Sequence, residues 1–114
     1  MLNIQCTTIK CPNKESYDGH MKIMDQLVEV ALKNETILET IDSNREQLTI
    51  TWKVLFKDSL KNTKAICESM GILSENNIVP GKLVNQWTEQ SCSTELEKLI
   101  RKIEKHEGTE PIPI

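Results

Sequence analysis

Residues 47–56 read QLTITWKVLF, and the fold turns on how this stretch is taken. Leu48, Ile50, Trp52, Val54 and Phe56 alternate with less apolar neighbours, the period of a half-buried strand, and the segment is rich in β-branched and aromatic side chains. The same region also carries a helical stripe: Leu48, Trp52, Leu55, Ile66 and Met70, widened by Phe56, Leu60 and Cys67. A strand here would need a partner. The other extended candidate is the N-terminal segment, and an isolated two-stranded pair is marginal in water. The expectation is therefore a helix over 44–70, opened by the Ser43-x-x-Glu46 capping box.

Upstream, MLNIQCTTIKCP (1–12) alternates at Leu2, Ile4 and Cys6, lacks helical periodicity and ends at Pro12, so it reads as an extended arm. Over 14–41, Met21, Met24, Val28, Ala31 and Leu38 recur at helical spacing, with Leu27 and Ile41 beside them. Gly19 weakens the first turn of this helix, Asn34 is a point of interruption, and DSN (42–44) is its closing turn. Downstream, Gly71 is placed for a left-handed cap with Ile72 folding back, and SENN (74–77) forms a polar corner. Pro80 suits a first helical turn and opens a short helix bearing Leu83, Val84 and Trp87. A last helix begins at Ser93 or Thr94, carries Leu96, Leu99, Ile100 and Ile103, and stops at Gly108. TEPIPI (109–114) is an extended tail. The fold expected is all-α: a single domain, 1–114, of four to five amphipathic helices with an arm (1–13) and a tail (109–114).

Composition narrows the function. The 114 residues suit one domain, and 38% hydrophobic with 4% aromatic content implies an aliphatic core. A formal net charge of −3 offers no basic face for nucleic acid. No run approaches the roughly 20 apolar residues of a membrane span, and the start shows no signal-peptide pattern.

Four cysteines, Cys6, Cys11, Cys67 and Cys92, suit two disulfides and a secreted, extracellular setting, with all three pairings open; the alternative is reduced thiols packed as small hydrophobes in a cytosolic protein. NET (34–36) adds a glycosylation sequon. Cys6-x4-Cys11 has no second close pair to complete a zinc site, so no metal is expected. His20 reads as an exposed residue and His106 as a partner of a helix C-terminus. Neither sits in a nucleophile or acid–base motif, so the chain reads as a non-enzyme without a cofactor. Met21, Met24 and Met70 are flexible enough to line an adaptable apolar pocket.

AICESMGILSENNIVPGKLVNQW (65–87) resembles the middle of insect odorant- and pheromone-binding proteins. There a cysteine-bearing helix ends at a Met-Gly corner and an amphipathic helix follows. Cys67 takes the second position of that family's Cys-x3-Cys pair, with Thr63 in the first. The resemblance implies a secreted helical carrier holding a small hydrophobic molecule between helices, and it covers Ile66, Met70, Ile72, Leu73, Leu83, Val84 and Trp87. Together with the methionines, the expected ligand-lining set is Met21, Met24, Trp52, Ile66, Met70, Leu83 and Trp87. The competing expectation is a helical-bundle interaction module, cytokine-like or a host or pathogen factor, whose partner is a protein. Oligomeric state stays open.

Overall fold

A computed structural model describes residues 3–88 and Arg101. The chain runs β1 (Asn3–Lys10), α1 (Lys14–Lys22), α2 (Met24–Lys33), β2 (Thr36–Asn44), β3 (Thr49–Phe56), α3 (Ser59–Glu75) and β4 (Lys82–Thr88). The four strands form one antiparallel sheet in the order β2-β3-β1-β4. This is a β-α-β-β-α-β unit whose first helix is broken in two at Ile23, the split-βαβ or ferredoxin-like arrangement.

The sheet corrects the all-α expectation. Residues 49–56 are a strand because two partners are present: β1 on one side, with Thr7 opposite Trp52, and β2 on the other, with Thr40 opposite Trp52. The N-terminal arm is β1, a central strand. β2 comes from the second half of the segment expected to be helical, and the 42–44 turn and Ser43 cap fall inside it. Asn44 instead accepts from the Gln47 amide at 3.0 Å in the 45–48 turn. Once four strands pair and helices cover a face, the marginality of an isolated pair no longer applies.

The helices have local determinants. Asn13 Oδ1 caps α1 through the Ser16 amide, and Asp58 Oδ1 caps α3 through the Leu60 amide, both at 2.8 Å. α3 runs through Gly71 to Glu75, five residues past the expected end at residue 70, with Asn77 taking the left-handed position at φ 56°. There Asn77 N–H donates to Ser74 O (3.1 Å) and Ile78 N–H to Leu73 O (2.9 Å), while Ile78 packs on the Leu73 cluster. The helix predicted after Pro80 is strand β4. Apart from Arg101, the predicted final helix lies outside the described residues, as do the tail, Cys92 and His106.

Buried apolar side chains form three clusters. Ile4, Ile37 and Leu55 make one. A second joins Ile9, Cys11, Tyr17 and Ile50, and Ile23, Leu27 and Leu73 form the third. No disulfide forms among the described cysteines: Cys6 and Cys11 are buried at and just beyond β1, and Cys67 is exposed on α3. Burial pushes the Cys11 thiol up, with a hydrogen bond to Ser16 partly opposing it. The expected disulfides are corrected to that extent: none joins Cys6, Cys11 and Cys67. The odorant-binding resemblance is overturned as well, because that family is built of helices and its quoted stretch ends here in a sheet strand. Among the described residues no helix is long and apolar enough to cross a membrane.

Candidate functional site

Gln5, Thr7 and Ile9 of β1 share a face with Trp52 and Val54 of β3, because directly opposed residues in an antiparallel pair project to the same side. Helices α1, α2 and α3 lie over this face. Between them and the sheet is a cavity of about 270 Å³. Small residues keep it open: Ala31 on α2, Ala65 and Ser69 on α3, and Gly81 before β4 all line it where larger side chains would fill it. Leu27, Leu38, Leu73, Ile66 and Met70 complete a mainly apolar wall. Ile66 and Met70, 55% and 47% exposed, mark its mouth along α3.

Gln5, Thr7, Thr36, Asn62, Ser69 and Gln86 also line it, and two buried side chains beside it carry unpartnered nitrogens. His20 is 1% exposed, and neither ring nitrogen has a hydrogen-bond partner among the described residues. The indole N–H of Trp52 is likewise buried and unpartnered. The two rings lie 6.2 Å apart between centroids, tilted by 47°. Each such orphan costs roughly 1–3 kcal/mol relative to a satisfied group. Burial lowers the His20 pKa and favours the neutral imidazole. The Val79 carbonyl is near enough to oppose that shift but is not placed for a hydrogen bond with the ring; it accepts instead from Ser16 Oγ at 2.5 Å. Among the described residues no Lys, Arg, Asp or Glu lines the cavity.

Of the seven residues expected to line a ligand site, the structure brings three together here: Trp52, Ile66 and Met70. Met21 and Met24 instead pack against the Ile9–Tyr17–Ile50 cluster. Leu83 and Trp87 sit on β4 with 57% and 38% of their surface exposed. A helix would have placed these two on one face. In β4 a bulge at Val84 separates them, with Leu83 opposite Ile9 and Trp87 opposite Cys6, on opposite sides of the sheet.

Reading the sequence missed His20, which is buried rather than exposed. Its signal was its spacing, three residues after Tyr17 and four before Met24, on the buried stripe of the first helical segment. Ala31, Ala65 and Ser69 were missed because a small side chain lining a void looks in sequence like one filling a tight contact.

Other depressions are poorer sites. One of about 440 Å³ beside α1 is edged by Asn13, Glu15, Lys22, Gln26, Asn76 and Asn77, a solvated polar surface. Among the described residues no three His, Cys, Asp or Glu side chains converge as a metal site would require. Comparison with protein-family models and with curated protein sequences returns no match to this chain.

Proposed function

We propose that the protein binds a small, mainly apolar molecule in the cavity between α3 and the sheet. One observation carries this reading: an apolar space of about 270 Å³ kept open by small residues on two helices and a loop. Protein interiors otherwise close to crystal-like density, and a void forfeits contacts along its whole lining. The volume lies at the small end of ligand pockets and suits about ten heavy atoms. Burying apolar surface at about 25 cal/mol per Å² drives binding, before the cost of ordering the ligand.

1-Aminonaphthalene, a fluorescent probe of matching size that is uncharged at neutral pH, tests the reading. It should bind the folded protein saturably, and in a Trp87→Phe background it should perturb Trp52 emission. Ser69→Leu, which adds volume inside the cavity without removing a buried partner, should lower probe affinity at least about tenfold while keeping the fold. Absence of saturable binding by folded protein would discard the cavity as a site. The exposed Leu83, Val84 and Trp87 would then favour a protein contact.

A further inference from the structure

The sheet face turned away from the cavity is buried, although α1, α2 and α3 all pack on the cavity side. Ile4 of β1, Leu55 of β3 and Ile37 of β2 stand opposite one another, and Cys6 follows Ile4 at the two-residue period of a strand. Thr51, opposite Thr8, shares this far face. Exposures of 6% for Ile4, 0% for Cys6, 3% for Ile37, 9% for Thr51 and 1% for Leu55 are those of a core, reached within a single chain. Strand side chains stand roughly perpendicular to their sheet, so an uncovered face would leave Leu and Ile in water. Among the described residues, Leu32 at the α2–β2 corner is the partly buried hydrophobic packed on Ile4, Ile37 and Leu55. One side chain cannot cover three strands.

We infer that residues 94–107 form a further helix, which lays Leu96, Leu99, Ile100 and Ile103 across Ile4, Cys6, Ile37 and Leu55 and closes the far face as a third layer. The chain leaves the sheet in the right place. β4 ends at Thr88, paired with Gln5, so it exits beside Ile4. Leu96 follows Thr88 by eight residues, a reach of up to about 28 Å, whereas β4 to β2 is three strand spacings, about 14 Å. Residues 94–107 as a helix measure about 21 Å, enough to cross those strands. Their four apolar side chains fall within an arc of about 100°. Arg101 lies about 150° from the centre of that arc, and it is helical and exposed, as the outer face of such a layer requires.

Other arrangements fit less well. The cavity mouth keeps Ile66 and Met70 at 55% and 47% exposure, so the stripe does not rest there. A second copy is not needed to cover the far face, because that face is already buried within one chain. A helix of this length is marginal alone in water, and the sheet supplies the apolar surface that stabilises it.

Methyl NOE spectroscopy of the unaltered full chain tests this packing. Cross-peaks should join Leu99, Ile100 or Ile103 to Ile4, Ile37 or Leu55, and isotope-filtered spectra of mixed labelled and unlabelled protein should lack them. Cross-peaks from the stripe to Ile66 or Met70 would place the segment over the cavity mouth and overturn the inference. Cross-peaks that pass the isotope filter would give the far face to a second copy and overturn it equally, as would absence of any contact between stripe and sheet. Thiol alkylation of the pre-reduced full chain, mapped by peptide mass, gives a second reading. Leu99→Asp should raise the rate at Cys6 relative to Cys11 at least about tenfold, because Cys11 is buried in the Ile9–Tyr17–Ile50 cluster on the helix side. Arg101→Ala, on the outer face, should leave that ratio unchanged. A ratio that Leu99→Asp does not move would overturn the assignment.

Discussion

His20 shows how one buried side chain makes stability depend on pH. Its folded pKa lies below the ordinary value of 6.5 because burial penalises the charged ring. Between those two values the unfolded chain binds a proton that the fold refuses, so stability falls as pH drops through that window and levels off beneath it. The contribution is fully present above 6.5. Among the described residues no other titratable group lines the cavity beside His20, and Asp18 and Lys22, its neighbours on α1, are exposed. Urea midpoints measured from pH 7.5 to 5 should fall more steeply for the unaltered protein than for His20→Gln. Parallel curves would show that His20 protonates as easily folded as unfolded. Asp18 is a contrasting case: its bidentate pair with Arg45, at 2.9 and 3.0 Å, lowers its pKa at an exposed site where screening leaves little net stability.

Two glycines separate the demands of different elements. Gly71 lies within α3, and a Cβ built there meets nothing within 4 Å. Its cost to the helix is purely conformational, so Gly71→Ala should stabilise the protein by about 0.5–1 kcal/mol. Gly81 precedes β4, where a Cβ would stand 2.7 Å from Ile9 Cδ1 and 3.1 Å from the Lys10 carbonyl oxygen. The side-chain end can turn away, but the carbonyl belongs to the β1 backbone. Gly81→Ala should therefore destabilise by about 1–3 kcal/mol through displacement of β1 or β4. Chemical denaturation of the two variants gives opposite signs. Destabilisation by Gly71→Ala would show that α3 does not continue through residue 71.

At the scale of the whole molecule, the sheet order places all the longest-range pairing on β1, which joins both β3 and β4. The core clusters follow the central strands, and the outer strand β4 is exposed along its length. Truncations should reflect that gradient. Leu55→Ala, at a position 1% exposed on β3, should cost about 2–5 kcal/mol, whereas Leu83→Ala, at 57% exposure on β4, should cost under about 1 kcal/mol. Urea unfolding measures both. Equal losses would mean that β4 is as deeply packed as the centre of the sheet. The open cavity belongs to this scale too, since α3 rests against α2 and leaves the small residues facing the sheet without a filler.

What the sequence by itself determined about this protein is local. The alternation at Ile50, Trp52, Val54 and Phe56 is present in the sequence but is outweighed there by a helical reading, while Met21 and Met24 are placed on the inward stripe of a helical segment, where they pack. Three of the residues expected around a ligand, Trp52, Ile66 and Met70, do meet at one cavity. Tertiary structure decided the rest. A ten-residue apolar run satisfies helix and strand periods alike, and only the presence of partners resolves it. Those partners, β1 and β2, are themselves segments whose strand character depends on β3, so no one of the three can be assigned alone. The cap of α3 moved from Gly71 to Asn77, where Ile78 packs on the Leu73 cluster and its N–H reaches the Leu73 carbonyl. Exposure of Leu83 and Trp87 on opposite sides depends on a bulge, a one-residue mismatch between strands that has no local signature. The cavity is a property of what faces Ala31, Ala65 and Ser69 across space, and burial of His20 comes from elements 30 to 60 residues away that close over its helix.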